Sequence, residues 1–198
     1  MTSISPIFQN GSSTAGKTSS YTNTFDGCLS LRYLKVYCKD YYSGSSSGIT
    51  DGSMYDNAFN RLAMLGSILF SSGSISSGGY ISVRNGFTID LSDVGYCSNE
   101  ADAAILTELY GNPVTTAEEY EAQKDTEDWW TTNPDYSRFN LTSFKEAITY
   151  LPRIKSGSAT IKFKSGAGSG TDGGGIDPTQ ATTEIAYANQ YGWTVTFV

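Results

Sequence analysis

Short apolar runs separated by loops dominate the first half of the chain. The run 25–37 alternates like a strand, with apolar side chains at Leu29, Leu31, Tyr33 or Leu34, and Val36. The segment 54–70 predicts a short helix leading into a strand at 67–70, and the helix would pack through Phe59, Leu62, Met64 and Leu65. Two further strand-like runs flank Asn85-Gly86, a pair that predicts a tight hairpin turn.

The pattern in the second half becomes helical. A cap at Ser98 or Asn99 predicts a helix with one face formed by Ile105, Leu106, Leu109 and Tyr110. From Asn140 onward, helix and strand patterns alternate. The first predicted helix of this region has a face of Phe144, Ile148 and Leu151, and the second has a face of Ala181, Ile185 and Ala188.

A strand pattern follows each of these helices, in "SATIKF" and in the closing "TVTFV". Helix, strand, loop, helix, strand is a repeated supersecondary unit that one copy could not stabilise alone. Stacked as right-handed crossovers, the units predict a parallel sheet backed by helices. In the segment that leads to Trp193, Gly192 is expected to end the last helix and Trp193 to fill the core.

These residues resemble leucine-rich-repeat proteins of the BspA type, which occur on gut bacteria and in phages that infect them. "TFDGCLSLRYLKV" is similar to that family's repeat, and "LTSFKEAITYLPRIKSGSATIKF" and "EIAYANQYGWTVTFV" are similar to its closing units. The resemblance covers roughly a third of the chain. It implies binding or architecture and supplies no catalytic residues.

The predicted fold class is therefore α/β: a leucine-rich-repeat-like parallel sheet backed by helices, with a loop-rich insertion and an extended N-terminal arm. The arm would comprise residues 1–24, and a single repeat-like domain would comprise 25–198. Within that domain we expect an irregular insertion over 40–135 and the closing repeat units over 140–198, because no regular repeat pattern connects the two ends.

Composition narrows the function. The chain of 198 residues has a net charge of -7 and no basic stripe, which argues against nucleic-acid binding. Histidine is absent, which removes the usual nucleophile–base pairs and histidine-ligated zinc. The cysteines Cys28, Cys38 and Cys97 have no metal or redox spacing, so we expect no cofactor and no metal, and buried free thiols rather than a site.

Two motifs have weak chemical meaning. Gly11, Gly16, Lys17 and Thr18 have the spacing of a phosphate-binding loop, but the strand before it and the helix after it are missing from the pattern. A nucleotide-dependent enzyme is therefore a minor alternative. Asp172 and Asp177 lie in a single glycine-aspartate segment, which lacks the tandem copies that a calcium site of this kind needs.

Partner binding is the expected role of several apolar and aromatic residues. The arm could dock through Ile4, Ile7 and Phe8, because it has too little apolar surface to form a core. Trp129 and Trp130, beside three carboxylates, suit packing on the domain itself or on a neighbouring subunit, and a glycan site is the alternative. Tyr41 and Tyr42 lie among Gly and Ser, a composition typical of adaptable recognition loops.

No secretory signal and no membrane-spanning run are evident in the sequence. A chain of this composition without an export signal could leave the cell by lysis, as phage particle proteins do, and removal of a signal peptide would explain the missing signal equally well. We therefore expect a non-enzymatic virion protein, an exposed head-fibre, decoration or tail-appendage subunit that contacts other virion proteins and copies of itself. A bacterial surface adhesion or glycan-binding module is the alternative, and a host glycan or protein is a further expected partner.

Overall fold

A computed structural model describes residues 3–4, 23–37, 57–71, 80–83, 86–95, 100–110, 139–166 and 175–198. The elements in chain order are β1 (Ser3–Ile4), β2 (Tyr33–Tyr37), β3 (Ser67–Ser71), β4 (Tyr80–Ser82), β5 (Phe87–Leu91), α1 (Glu100–Tyr110), α2 (Leu141–Tyr150), β6 (Arg153–Ser156), β7 (Ala159–Phe163), α3 (Thr182–Gln190) and β8 (Trp193–Phe197). A 3₁₀ helix, Pro178–Gln180, precedes α3.

All strand pairs among these elements are parallel. The strands form three small sheets with the orders β1-β2-β3, β4-β6 and β5-β7-β8. Parallel neighbours need a crossover between them, and α2 and α3 each lie in such a crossover. The predicted α/β class with parallel pairing is confirmed, although the strands are divided among three sheets.

Segments 23–37 and 57–71 are two copies of one backbone path. Tyr33 pairs with Ser67, a separation of 34 residues, and the same separation relates the turn residues that precede the strands. Asn23 and Asn57 have φ of 57° and 52°, and Gly27 and Arg61 have φ of 73° and 55°. Matching left-handed residues at matching places show that the two segments turn in the same way.

The core positions of these two copies also coincide. The buried pairs at matching positions are Phe25 and Phe59, Leu31 and Leu65, Leu34 and Ile68, and Val36 and Phe70. The first pair stacks, with ring centroids 6.2 Å apart. A separation of 34 residues also relates β7 to β8, since Ala159 pairs with Trp193. Stacking of equivalent segments is the arrangement by which repeat proteins build a continuous core.

Helices α2 and α3 match their sequence patterns. Asn140 caps α2 by accepting a hydrogen bond from the N–H of Ser143, and the predicted face of Phe144, Ile148 and Leu151 is buried. On α3, Ala181 and Ala188 are buried and Ile185 packs against the core.

The predicted roles of Gly192 and Trp193 are confirmed. Gly192 lies just beyond α3 with a φ of 87°, a conformation that glycine adopts at low cost. The Trp193 indole is buried, its Nε1 donates to the Pro152 carbonyl at 2.7 Å, and its ring meets Phe87 at 6.1 Å between centroids. The indole therefore fills the core and satisfies its one donor.

The predicted short helix is not formed over 57–65. These residues form turns and a bridge from Leu62 to Val94, because several of their backbone groups bond to the preceding copy of the repeat. The N–H groups of Phe25 and Gly27 donate to the carbonyls of Ala58 and Asn60, and the N–H of Met64 donates to Leu29. The apolar side chains expected to pack are nevertheless all buried: Phe59, Leu62, Met64 and Leu65. The predicted strand that follows is confirmed as β3.

The predicted hairpin at Asn85-Gly86 is also wrong, although both of its strands exist. β4 pairs with β6 and β5 pairs with β7, both in parallel, so β4 and β5 point in the same direction along the segment 153–163. Gly86, with φ of 86°, lies in the connection between β4 and β5, which belong to different sheets. The sequence did not predict β6 as a strand of its own.

One cluster of buried apolar side chains runs from Phe25 to Trp193 and joins both ends of the chain. α2 packs against β3 and α3, and the Phe144 ring meets Phe163 edge-on at 4.8 Å. β1 extends the first sheet, because Ser3 pairs with Tyr33 and Ile4 with Leu34. The division into an arm and a domain stays a prediction, to which the structure adds that residues 3–4 belong to a sheet.

Candidate interaction surfaces

Helix α1 is held to the repeat by a polar contact and an apolar one. Asp102 and Leu106, one helical turn apart, are 2 % and 0 % exposed. The Asp102 carboxylate accepts two hydrogen bonds from Arg61, at 2.9 Å from Nε and 2.7 Å from Nη2. This bidentate geometry suits a guanidinium and a carboxylate and fixes the rotation of the helix.

Arg61 lies among three carboxylates. Besides Asp102, its Nη1 is 3.9 Å from Asp26, and its backbone N–H donates to Asp93 Oδ2 at 3.0 Å. The hydrogen bond and the charge of Asp102 raise the pKa of Arg61 above its usual range, so this side chain stays charged. These carboxylates position the arginine. Among the described residues, no cluster of His, Cys, Asp or Glu side chains could hold a metal ion.

Helix α1 also carries exposed apolar side chains. Ile105 is 45 % exposed and Leu109 59 % exposed, while Leu106 between them is buried. The sequence predicts one shared apolar face for these residues. The helix brings these side chains to one side, the side that also carries Asp102, but only Leu106 of the three is buried.

A second surface lies where α2 and α3 end. The rings of Tyr187 and Tyr191, one turn apart on α3, meet edge-to-face at 4.7 Å, and the Arg153 guanidinium lies 4.1 Å from the centre of the Tyr191 ring. Tyr187 is 38 % exposed, and Tyr150 at the end of the neighbouring helix is also exposed. A cation over a tyrosine face holds the ring in place without removing it from solvent.

Sequence reasoning missed both surfaces, for different reasons. Tyr187 and Tyr191 are four residues apart on a predicted helix, a spacing that could have identified the pair. Arg61 and Asp102 are 41 residues apart, and no local pattern connects them. Such a pair becomes visible only when the chain is folded.

Most residues that the sequence singled out lie outside the described residues: Ile7, Phe8, Tyr41, Tyr42, Trp129, Trp130, Cys38, Cys97, and the loop from Gly11 to Thr18. Of Ile4, the structure describes only the backbone, within β1. Their roles stay predictions.

Two other candidates do lie in described segments. Cys28 is a free, half-buried thiol, and burial, with a smaller effect from Asp26, raises the pKa of this thiol. Asp177 caps the 3₁₀ helix by accepting hydrogen bonds from the Thr179 N–H and hydroxyl, which lower the pKa of Asp177. Its side chain thus has a structural partner, whereas Asp172 lies outside the described residues.

Comparisons of the chain with protein-family models, curated proteins and solved structures give no match. Among the described helices, none has the length and apolar character required to cross a membrane. The features that bear on function are the repeat architecture, the exposed apolar side chains of α1 and the tyrosine cluster at the end of α3.

Proposed function

We propose that the chain is a leucine-rich-repeat-like, non-enzymatic subunit of a bacteriophage particle, an exposed head fibre, decoration protein or tail appendage. The observation that carries this proposal is the 34-residue structural repeat, with matching left-handed residues at Asn23 and Asn57 and at Gly27 and Arg61. It supports the family resemblance of "TFDGCLSLRYLKV", which implies binding or architecture.

The exposed apolar side chains of α1 support an assembly role. Ile105 and Leu109 are exposed on a helix that Asp102 and Leu106 hold to the repeat, so they form a small apolar surface at a fixed place. Exposed apolar patches are typical of protein-binding surfaces. Other virion proteins and further copies of the chain are the proposed partners, and Ile4, Ile7, Phe8, Tyr41, Tyr42, Trp129 and Trp130 are the proposed additional contact residues.

Quantitative mass spectrometry of particles tests this proposal. Particles released by lysis of the source culture are separated on a density gradient, and each fraction is analysed. We expect the chain to follow the major capsid protein through the gradient at a fixed copy number. Recovery of the chain only outside the particle fractions, or on intact cells after removal of a leader peptide, would contradict the proposal.

A bacterial adhesion or glycan-binding module is a second candidate, which the Tyr187–Tyr191–Arg153 cluster favours. The exposed Tyr187 ring and the exposed amide of Gln190, three residues further along α3, can contact the apolar face of a sugar and bond its hydroxyls. On a glycan array, this candidate predicts binding that Tyr187→Ala abolishes and Tyr187→Phe retains. Tyr150→Phe, at the neighbouring helix end, serves as a control for general surface change.

A further inference from the structure

The core is incomplete along β8. In the sheet β5-β7-β8, Ile89, Ile161 and Val195 occupy equivalent positions, as do Leu91, Phe163 and Phe197. The residues from β5 and β7 are fully buried, whereas Val195 and Phe197 are only half-buried. The apolar layer therefore continues to the edge of the sheet and remains partly open there.

The backbone of β8 leaves one row of polar groups pointing away from β7. The Val198 N–H donates to Phe163, and the Val198 carbonyl accepts from Ser165, so residue 198 faces β7. Because backbone groups alternate along a strand, residues 194 and 196 also face β7, and residues 193, 195 and 197 face the outer edge. No strand among the described residues lies on that edge.

This edge carries none of the features that protect exposed strands. Trp193–Phe197 contains no charged residue, no proline and no glycine, and its pairing with β7 is regular over all five residues. Natural edge strands are commonly protected by lysine, proline or a bulge, since an unprotected edge pairs with another strand.

The sequence of β8 is symmetric in character about Val195: aromatic, Thr, Val, Thr, aromatic. We propose that β8 pairs antiparallel with β8 of a second copy, about a two-fold axis at Val195. Val195 would lie opposite its own counterpart, Trp193 opposite Phe197 of the second copy, and Thr194 opposite Thr196. Such an arrangement is isologous and closes at a dimer.

The threonines fit this register. In the proposed pairing, Thr196 lies directly across from Thr194 of the second copy, and facing threonines interact across strands. The same contact would cover the exposed parts of Val195 and Phe197, which lie on the other face of the strand.

Analytical ultracentrifugation of the isolated chain tests the proposal. A five-residue ladder is small compared with a standard interface, so we expect a dissociation constant on the order of 10 μM. Sedimentation is measured from about 1 to 200 μM, a range that brackets this constant. A reducing agent is included because the chain has three cysteines. The average mass should rise from monomer to dimer and no further.

Thr194→Lys is the informative variant, because its side chain is exposed and its new charge would lie at the paired edge. We expect this variant to stay monomeric at all concentrations with an unchanged melting temperature. Thr183→Lys, an equal charge change at an exposed site on α3, should dimerise like the unaltered chain. A monomeric unaltered chain, a dimeric Thr194→Lys variant or assembly beyond a dimer would overturn the proposal. None of these results depends on where the protein resides, so particle analysis remains a separate test.

Discussion

Arg61 and Gly27 occupy equivalent turn positions in the two copies of the repeat. Both residues have left-handed φ values, 55° and 73°, which cost a non-glycine residue roughly 1 kcal/mol. Arg61 offsets this cost through its backbone hydrogen bond to Asp93 and its bidentate contact with Asp102. Arg61 thus connects the second copy of the repeat to α1.

Removal of the Asp102 carboxylate should destabilise the fold. Asp102→Ala leaves a half-exposed arginine, which water can partly solvate, so we expect a loss of about 1.5–3 kcal/mol, as for hydrogen bonds to charged groups. Glu108→Ala removes an exposed acid from the same helix and should change stability by less than about 0.5 kcal/mol. Urea unfolding measures both, and equal losses would contradict the role assigned to Asp102.

Two glycines with similar backbone angles should respond differently to alanine. Gly157 and Gly86 have φ of 91° and 86°. A methyl group at Gly157 would overlap the Val83 carbonyl, whereas one at Gly86 meets open space. Gly86→Ala should cost only the backbone strain, about 1–2 kcal/mol, and Gly157→Ala should cost clearly more or prevent folding. Thermal unfolding compares them, and equal melting temperatures would show that β6 and β4 do not approach this closely.

At the scale of elements, α1 offers a matched pair of leucines. Leu106 is buried and Leu109 is 59 % exposed on the same helix. Leu106→Ala should therefore cost about 2–5 kcal/mol, and Leu109→Ala less than about 0.5 kcal/mol. Chemical denaturation measures the difference. Equal losses, or a larger loss for Leu109→Ala, would contradict the burial of Leu106 and the exposure of Leu109.

The elements show where sequence patterns suffice and where they fail. α2, α3, β7 and β8 were predictable, because each contains its own apolar period and its own cap or turn residue, such as Asn140 or Gly192. The turns over 57–64 were not, since their backbone bonds go to the neighbouring repeat copy. The hairpin predicted at Asn85-Gly86 was wrong for the same reason, because the strands that pair with β4 and β5 lie about 70 residues further along the chain.

The candidate surfaces were less predictable than the fold. Ile105 and Leu109 belong to a predicted helix and share a side with the buried Leu106 and Asp102. An apolar period identifies that side, but how much of it is covered depends on distant segments such as the one that carries Arg61.

At the scale of the whole molecule, one core links the two ends of the chain, and β8 closes it. Ending the chain at Gly192 removes the buried Trp193, worth about 3–5 kcal/mol, together with the contacts of β8 to β7. Since whole domains have stabilities of about 5–15 kcal/mol, the product should be insoluble or molten. Val198→Ser, at an exposed side chain, is the control and should fold normally.

Circular dichroism in the near and far ultraviolet, recorded during heating, measures this outcome. A truncated chain that unfolds cooperatively with an unchanged far-ultraviolet spectrum would show that β8 is dispensable to the core. The proposed dimer edge on β8 would then lack a rigid support.

Nuclear Overhauser spectroscopy of the isotope-labelled chain tests the 34-residue structural repeat most directly. The stacked copies predict contacts between the ring protons of Phe25 and Phe59, whose centroids are 6.2 Å apart, and between the side chains of Leu34 and Ile68. They also predict parallel cross-strand contacts between β2 and β3. Absence of these contacts, together with antiparallel contacts between β4 and β5, would contradict the stacked repeat and restore the hairpin that the sequence alone suggests.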